Sequence, residues 1–193
     1  MPAAISLPRI EGSKVIMRTP FSRLRRYGQF ALTLHWLIAL LVLVNIVLAL
    51  CFTDAPATPG TRLLAQTHKS IGLSILGLTL VRLAWRLAHR PILPHSALAR
   101  LMHRLFYMLL IGVPLAGWAL VSVSPRNTPT YWFGLFHWPH LFFLNALPLA
   151  LRARWLSGFV TLHNVLAFSV LILVLPHVLG ALRRDPGESR PSS

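Results

Sequence analysis

Long stretches of this chain contain no charged residue, and this spacing narrows what the chain can fold into. A helix needs about 20 mostly apolar residues to cross a bilayer. The charge-free stretches are residues 27–53, 70–81, 105–125, 127–151 and 155–182. The second is short, but it becomes long enough if the side chains of Lys69 and Arg82 extend to the headgroups. We therefore expect an all-α integral membrane four-helix bundle, with spans at about residues 29–52, 63–85, 103–123 and 156–182.

The stretch 127–151 is apolar but is not predicted to span the membrane. It contains Pro129, Pro139 and Pro148 together with seven aromatic residues. Repeated proline breaks a spanning helix, and Trp and Tyr favour the headgroup region. We expect residues 124–155 to form an aromatic cap between the third and fourth spans, either as an interfacial loop or as a re-entrant segment.

Lysine and arginine are distributed unequally across the predicted spans. One side holds 14 of them and the cap side holds 5. The positive-inside rule then places both termini in the cytoplasm and the cap on the opposite side of the membrane. Residues 1–20 are expected to be a disordered extension, 21–184 the membrane domain and 185–193 a flexible tail. Because the cations lie between uncharged runs rather than on solvated helices, the net charge of +15 does not indicate a nucleic-acid partner.

Acidic residues and cysteine are too scarce for several kinds of chemistry. The only acidic residues are Glu11, Asp54, Asp185 and Glu188, so paired-carboxylate hydrolysis, carboxylate di-iron sites and an intramembrane acid relay are excluded. The single Cys51 excludes an intrachain disulfide, covalent haem attachment through Cys-x-x-Cys-His and iron-sulfur ligation.

Four of the nine histidines fall inside or just within the predicted spans, where ionisable residues are rare and usually functional. His35 and His177 lie near the cytoplasmic ends of the first and fourth spans. His68 and His163 lie near the opposite ends of the second and fourth. His163 and His177 are 14 residues apart, which is about 21 Å of helical rise with a net rotation of only about 40°. The four side chains therefore form two levels that face one interior.

Two levels, each with imidazoles from two helices, are the arrangement that holds two six-coordinate b-type haems in a four-helix bundle. Gly72, one turn after His68, could clear space for a porphyrin, and Arg82 could pair with haem propionates. One alternative is a haem-free membrane scaffold in which the histidines only form interhelical hydrogen bonds. A zinc or copper site is less favoured, because two histidines per level leave an incomplete ligand set.

A series of short motifs along residues 20–185 resembles the bacterial cytochrome b561 family. The motifs are Arg26-Tyr27, Leu34-His35-Trp36, His68-Lys69-Ser70-Ile71-Gly72, Val81-Arg82-Leu83-Ala84-Trp85-Arg86, His103 with Tyr107, Pro114-Leu115-Ala116-Gly117-Trp118, Leu162-His163 and His177.

This resemblance implies a di-haem membrane cytochrome. It implies that His35 and His177 are the axial iron ligands of the cytoplasmic haem, and that His68 and His163 are those of the periplasmic haem. The best understood members oxidise superoxide to oxygen at the periplasmic face and reduce ubiquinone. The chain also resembles, more distantly, the cytochrome b subunits that anchor hydrogenases and formate dehydrogenases and accept electrons from an iron-sulfur partner. An electron-transfer and anchor subunit is therefore the alternative function.

The candidate substrate residues are fewer and less defined, and no catalytic residue is assigned. The cations expected on the cap side could steer superoxide or contact anionic lipid headgroups. They are Lys69, Arg126, Arg152 and Arg154. His103 and Arg184 are candidates for the quinone end, and His137 and His140 in the cap could line a substrate mouth.

Overall fold

The computed structural model describes residues 20–89 and 96–182. Its five helices and two strands are α1 (Pro20–Phe52), α2 (Pro59–His89), α3 (Ala97–Val123), β1 (Thr130–Trp132), β2 (Phe136–Trp138), α4 (Phe142–Asn145) and α5 (Leu149–Leu182). The predicted tail at 185–193, Arg184 and all but the last residue of the predicted extension at 1–20 lie outside the described residues.

Four helices, α1, α2, α3 and α5, are long and apolar enough to cross a membrane, and each contains one predicted span. The four-helix membrane architecture is thereby confirmed. Helices α2 and α3 begin before the predicted spans, and each has a side-chain cap at its N-terminus. Thr58 caps α2, with its Oγ1 accepting from the Thr61 N–H at 3.2 Å, and Pro59 follows at the first helical position. Ser96 caps α3 in the same way, accepting from Ala99 N–H at 3.1 Å.

Extended contacts between the helices follow the order α1–α2–α3–α5. Within the described residues, α5 makes extended contact with α3 but not with α1 or α2. The densest packing between α1 and α2 surrounds Ile38, Ile71 and Ile75. Most other large apolar side chains on α1 and α5 face outward, as expected for helices surrounded by lipid. The bundle is therefore an arc of four helices whose two end helices leave space between them.

The cap contains a β-hairpin that the all-α prediction did not include. β1 and β2 pair antiparallel, with Thr130 opposite Trp138 and Trp132 opposite Phe136. The turn between them uses Phe133 and Gly134, whose φ angles of 46° and 75° match the left-handed backbone that tight hairpins require. The short helix α4 follows.

Candidate functional site

The four intramembrane histidines lie in two pairs. The ring centres of His35 on α1 and His177 on α5 are 6.1 Å apart. The ring centres of His68 on α2 and His163 on α5 are 6.2 Å apart. In both pairs the rings are close to perpendicular, with interplanar angles of 68° and 78°. Each level therefore brings together one imidazole from α5 and one from the opposite half of the arc.

Both histidines of the pair nearer the cap are held by a backbone carbonyl of a neighbouring helix. His68 Nδ1 lies 3.0 Å from the carbonyl oxygen of Asn45 on α1. His163 Nδ1 lies 3.0 Å from that of Val113 on α3. Because a carbonyl can only accept, each Nδ1 carries the proton, and the Nε2 of each neutral ring keeps its lone pair. This is the tautomer that a metal-binding imidazole needs, with its other nitrogen fixed by an outer hydrogen bond.

Gly117 on α3 provides the surface against which the His163 ring lies. A Cβ placed on this residue would be 3.1 Å from both Cε1 and Nδ1 of His163. Such contacts are tighter than most side chains accept, so the ring approaches Val113 closely because residue 117 has no side chain. Gly117 and the Val113 carbonyl together fix where His163 lies.

A cavity of about 410 Å³ surrounds the His68–His163 pair. Its wall is mainly apolar and includes Gly72, with Lys69, Thr128 and other polar residues among the remainder. Two buried polar atoms in the wall, Asn45 Oδ1 and Trp138 Nε1, have no hydrogen-bond partner among the described residues. Unpaired buried polar atoms are costly, so this wall suits a ligand that is largely apolar and has some polar groups.

The geometry fits a planar metal macrocycle bound between each pair of rings. An imidazole nitrogen binds a first-row metal at about 2 Å and the ring centre lies about 1 Å beyond, so two rings on opposite sides of one iron have centres roughly 6 Å apart. Both observed separations agree with this value. The helices that carry each pair, α1 with α5 and α2 with α5, are also the ones that do not pack extensively on each other. Residues 20–89 and 96–182 contain no group of three or more His, Cys, Asp or Glu side chains placed to hold a metal ion, as a zinc site would need.

The level farther from the cap contains a third imidazole. The His103 ring centre is 6.0 Å from that of His177, and Phe106 also contacts His177, with ring centres 5.0 Å apart. His103 Nδ1 donates to the carbonyl of Ala99 on its own helix at 2.6 Å, which leaves its Nε2 as an acceptor. His103, which the sequence indicated as a candidate for the quinone end, thus lies next to the His35–His177 pair.

Arg82 lies on the same side of the bundle as this second pair. Its guanidinium carbon is 5.9 Å from the centre of the Tyr107 ring, which is within the range of a cation–π interaction. Arg82 is half-buried on α2. It lies close enough to His35 for the two side chains to interact electrostatically. Pairing of Arg82 with a propionate stays a prediction.

The four cations expected on the cap side have different surroundings. Lys69 lines the cavity, and its Nζ donates to the Pro129 carbonyl at 3.4 Å. Arg126 and Arg154 are exposed. Arg152 is buried, and its guanidinium donates to the carbonyls of Val123 and Ser124 at the end of α3. Arg152 therefore caps the C-terminal end of α3 and is buried rather than open to solvent.

His137 and His140 lie together in the cap, with ring centres 6.4 Å apart. Burial lowers the pKa of His140, the hydrogen bond to the Thr128 carbonyl opposes this, and the neighbouring His137, Lys69 and Arg152 lower it further. His140 is therefore neutral near pH 7, and the positive potential of this region comes from the arginines and Lys69.

Fold and site together define a multi-pass membrane protein with two internal pairs of histidines. The family model described as prokaryotic cytochrome b561 matches residues 26–190. The chain is also 28% identical over 166 residues to cytochrome b561 homolog 2 of Escherichia coli (strain K12). The aligned region covers 82% of this chain and 84% of that protein. The chain belongs to the prokaryotic cytochrome b561 family. It is therefore a bacterial membrane cytochrome, and the family implies b-type haem and electron transfer.

Sequence reasoning missed how the pair near the cap is supported. The sequence shows Gly117 only as part of the motif Pro114-Leu115-Ala116-Gly117-Trp118, with no sign that a histidine lies against it. The backbone carbonyls of Asn45 and Val113 carry no signature in the sequence at all, because every residue has a carbonyl. One signal was available: a glycine about one turn beyond Val113, in an apolar helix, is typical of close approach by a neighbouring group.

Proposed function

We propose that this protein binds two b-type haems, one at each level, and transfers electrons across the inner membrane from superoxide to ubiquinone. His35 and His177 would hold the cytoplasmic haem, and His68 and His163 the periplasmic one. A b-type haem supplies one-electron chemistry at its iron. The observation that carries this proposal is the pair of ring separations, 6.1 and 6.2 Å, on helices that leave space between them.

The chain's own residues would prepare the pair near the cap for ligation. The carbonyls of Asn45 and Val113 hold the protons on Nδ1, so both Nε2 atoms are available without a change of tautomer. Outer hydrogen bonds of this kind also raise the basicity of an imidazole ligand. The mainly apolar wall of the cavity excludes water around the ligands and the macrocycle.

The proposed substrate is a small anion that arrives on the cap side. Lys69 is the cation that lines the cavity beside His68, while Arg126 and Arg154 are exposed farther out. A positive mouth of this kind attracts an anion and speeds its encounter with the protein. Each superoxide would give up one electron and leave as O₂. Two superoxide anions therefore reduce one quinone, which takes up two protons to become the quinol.

The proposed quinone end is the cytoplasmic level, beside His177. His103 lies there with an Nε2 that can accept a hydrogen bond. Arg184, the other candidate, is outside the described residues. The described spans contain no Asp or Glu, so the protons would come from water at a membrane surface.

Haem stoichiometry and difference spectra of detergent-purified variants test the ligand assignment. Wild type should bind two haems per chain, and His163→Ala and His68→Ala should both lose the same one. His177→Ala and His35→Ala should both lose the other. His103→Ala is the matched control at the second level, because its ring is as close to His177 as that of His35. It should keep both haems, and loss of the second haem in His103→Ala with retention in His35→Ala would overturn the assignment.

The reaction is tested separately, by following quinone reduction when superoxide is supplied to the purified protein. Reduction that stops on addition of superoxide dismutase is the expected result. A protein with two haems that does not react with superoxide would instead favour the anchor-subunit function, which a stable complex with an iron-sulfur protein would then support.

A further inference from the structure

The face of α2 opposite His68 carries three polar residues at intervals of one turn: Gln66, Ser70 and Ser74. On an α-helix they are rotated by roughly 120–160° from His68, so they point away from the interior of the bundle. A polar stripe on the outside of a span would be costly in contact with lipid. Yet Ser70 is almost fully buried, with an exposed fraction of 1%.

The β-hairpin covers this stripe, and each polar residue bonds to one part of it. Gln66 Nε2 donates to the Pro129 carbonyl at 2.9 Å. Ser70 Oγ donates to the Tyr131 carbonyl and accepts from Phe133 N–H, both at 3.0 Å. Trp132 Nε1 donates to Ser74 Oγ at 3.1 Å. Ser70 thus satisfies a backbone N–H and a backbone carbonyl of the hairpin outside the β1–β2 pairing.

These contacts place the hairpin at a depth well below the membrane surface. Ser74 is the central residue of α2, which runs from Pro59 to His89. Residue 74 is also the centre of the predicted span 63–85. A bilayer core of about 30 Å corresponds to about 20 residues of helix, so with Ser74 at the middle of the core Ser70 lies about 6 Å and Gln66 about 12 Å from the middle. Non-helical backbone is tolerated at such depth where protein groups satisfy it, as Ser70 does here.

The tip of the hairpin carries apolar side chains that stay exposed among residues 20–89 and 96–182. Phe133, Leu135 and Phe136 are exposed, Leu135 by 74%, and residues 127–151 contain no Lys, Arg, Asp or Glu. We infer that β1 and β2 form a re-entrant hairpin whose tip contacts lipid acyl chains in the leaflet on the cap side, with Gln66, Ser70 and Ser74 docking it to the outer face of α2. This inference does not depend on the haem ligands or on the substrate.

Cysteine labelling of the haem-loaded protein in lipid vesicles tests the depth of the tip. Cys51 is exposed, so it is first replaced by Ser. The vesicles are opened with a pore-forming peptide, and a charged maleimide is added that does not enter lipid. Leu135→Cys probes the tip and Arg126→Cys an exposed polar part of the cap. Leu43→Cys probes the outer face of α1, since Leu43 is 60% exposed and lies two residues from Asn45, which contacts His68.

We expect Leu135→Cys to react at least ten times more slowly than Arg126→Cys, and as slowly as Leu43→Cys, with all three equal after denaturation in detergent. A lipid-soluble maleimide should label Leu135→Cys and Leu43→Cys alike. Reaction of Leu135→Cys as fast as that of Arg126→Cys would place the tip in water and overturn the inference. Protection from both reagents, or oxidative cross-linking of two chains through residue 135, would show that protein covers the tip and would overturn it as well.

Ser70→Ala tests the docking contacts. In the Leu135→Cys background it should raise labelling by the charged maleimide at least threefold, because two backbone groups of the hairpin lose their partner. Ser169→Ala is the matched control, since Ser169 Oγ bonds only within α5, to the Val165 carbonyl, and it should leave labelling unchanged. Unchanged labelling in Ser70→Ala would refute the role of Ser70. If Ser70→Ala does not fold, as its haem spectrum would show, the comparison of Leu135→Cys with Arg126→Cys still decides the position of the tip.

Discussion

On the proposed assignment of two haems, substitution of Gly117 by alanine should weaken haem binding at His68 and His163 and leave the site at His35 and His177 unchanged. The new Cβ would lie 3.1 Å from the His163 ring, so the ring must move by a few tenths of an ångström or tilt. Either movement strains the 3.0 Å hydrogen bond from His163 Nδ1 to Val113. Overpacking and a weakened hydrogen bond together cost about 1–2 kcal/mol, which corresponds to roughly 5–30-fold weaker binding of the haem between His68 and His163.

The same substitution should shift a reduction potential. Weaker donation from Nδ1 to the carbonyl makes the imidazole less basic, which favours reduced iron. A difference of about 1 kcal/mol between the two oxidation states is about 40 mV for one electron. We therefore expect the potential of this haem to become more positive by tens of millivolts, while that of the other haem stays constant.

The assay is a redox titration with haem quantification, and Gly112→Ala is the matched control. Gly112 lies on the same helix, and a Cβ there would make an ordinary 3.5 Å contact with Leu166. Both substitutions gain the same helix propensity of about 1 kcal/mol, so this gain cancels in the comparison. Unchanged haem content and potentials in Gly117→Ala would refute the proposed support of His163. A shift confined to the haem that His177→Ala removes would refute the level assignment.

Three further substitutions separate other roles. Arg152→Ala leaves two carbonyls at the end of α3 without their buried donor, so it should lower the free energy of unfolding by about 2–3 kcal/mol and the thermal midpoint by about 5–10 °C. Arg154→Ala, at an exposed position, should change the midpoint little. Equal midpoints in the two variants would contradict the capping role. Lys69→Gln should lower the rate constant for superoxide at low salt by about two- to five-fold and should flatten its dependence on ionic strength. Arg126→Gln should have a smaller effect on both. Identical salt dependence in wild type and both variants would exclude steering by these cations. Gly72→Ala should keep both haems, because a Cβ there would make an ordinary 3.7 Å contact with Asn45. Gly72→Leu should instead fill the cavity and displace the haem near the cap. Haem content of the purified variants measures both outcomes.

The sequence predicts the bundle well because charge spacing and helix length are local properties. An uncharged stretch long enough to cross lipid has few alternatives to a helix, and all four predicted spans lie within helices of the structure. The meeting of His35 with His177, and of His68 with His163, follows from depth alone, since residues at the same level of a small bundle are close. His103 shows the limit of this reasoning, because depth does not say which of two nearby imidazoles faces His177.

The hairpin could not be predicted in the same way, because its docking depends on contacts between residues about 60 positions apart. Prolines and aromatic residues indicated a cap, but they suit an interfacial loop and a re-entrant segment equally. The stripe of Gln66, Ser70 and Ser74 was the usable signal, since polar residues on the outer face of a span need cover. Arg152 was misleading for a related reason: in sequence it is one more cation on the cap side, and only tertiary contact with the end of α3 distinguishes it from Arg154.

The packing order of the helices links the site to the stability of the fold. Extended contacts run along α1, α2, α3 and α5, and the histidine pairs are places where α5 meets the first two helices. A ligand that binds both rings of a pair binds the assembled bundle and not the unfolded chain, so it stabilises the closed arrangement by mass action. The glycine beneath His163 and the carbonyls that hold Nδ1 serve the same end before the ligand arrives: they fix the rings at the separation that the ligand requires. On the proposed assignment, the same few contacts that set the separation of the rings would hold the haem, which is why a few tenths of an ångström at residue 117 should be measurable as a loss of haem.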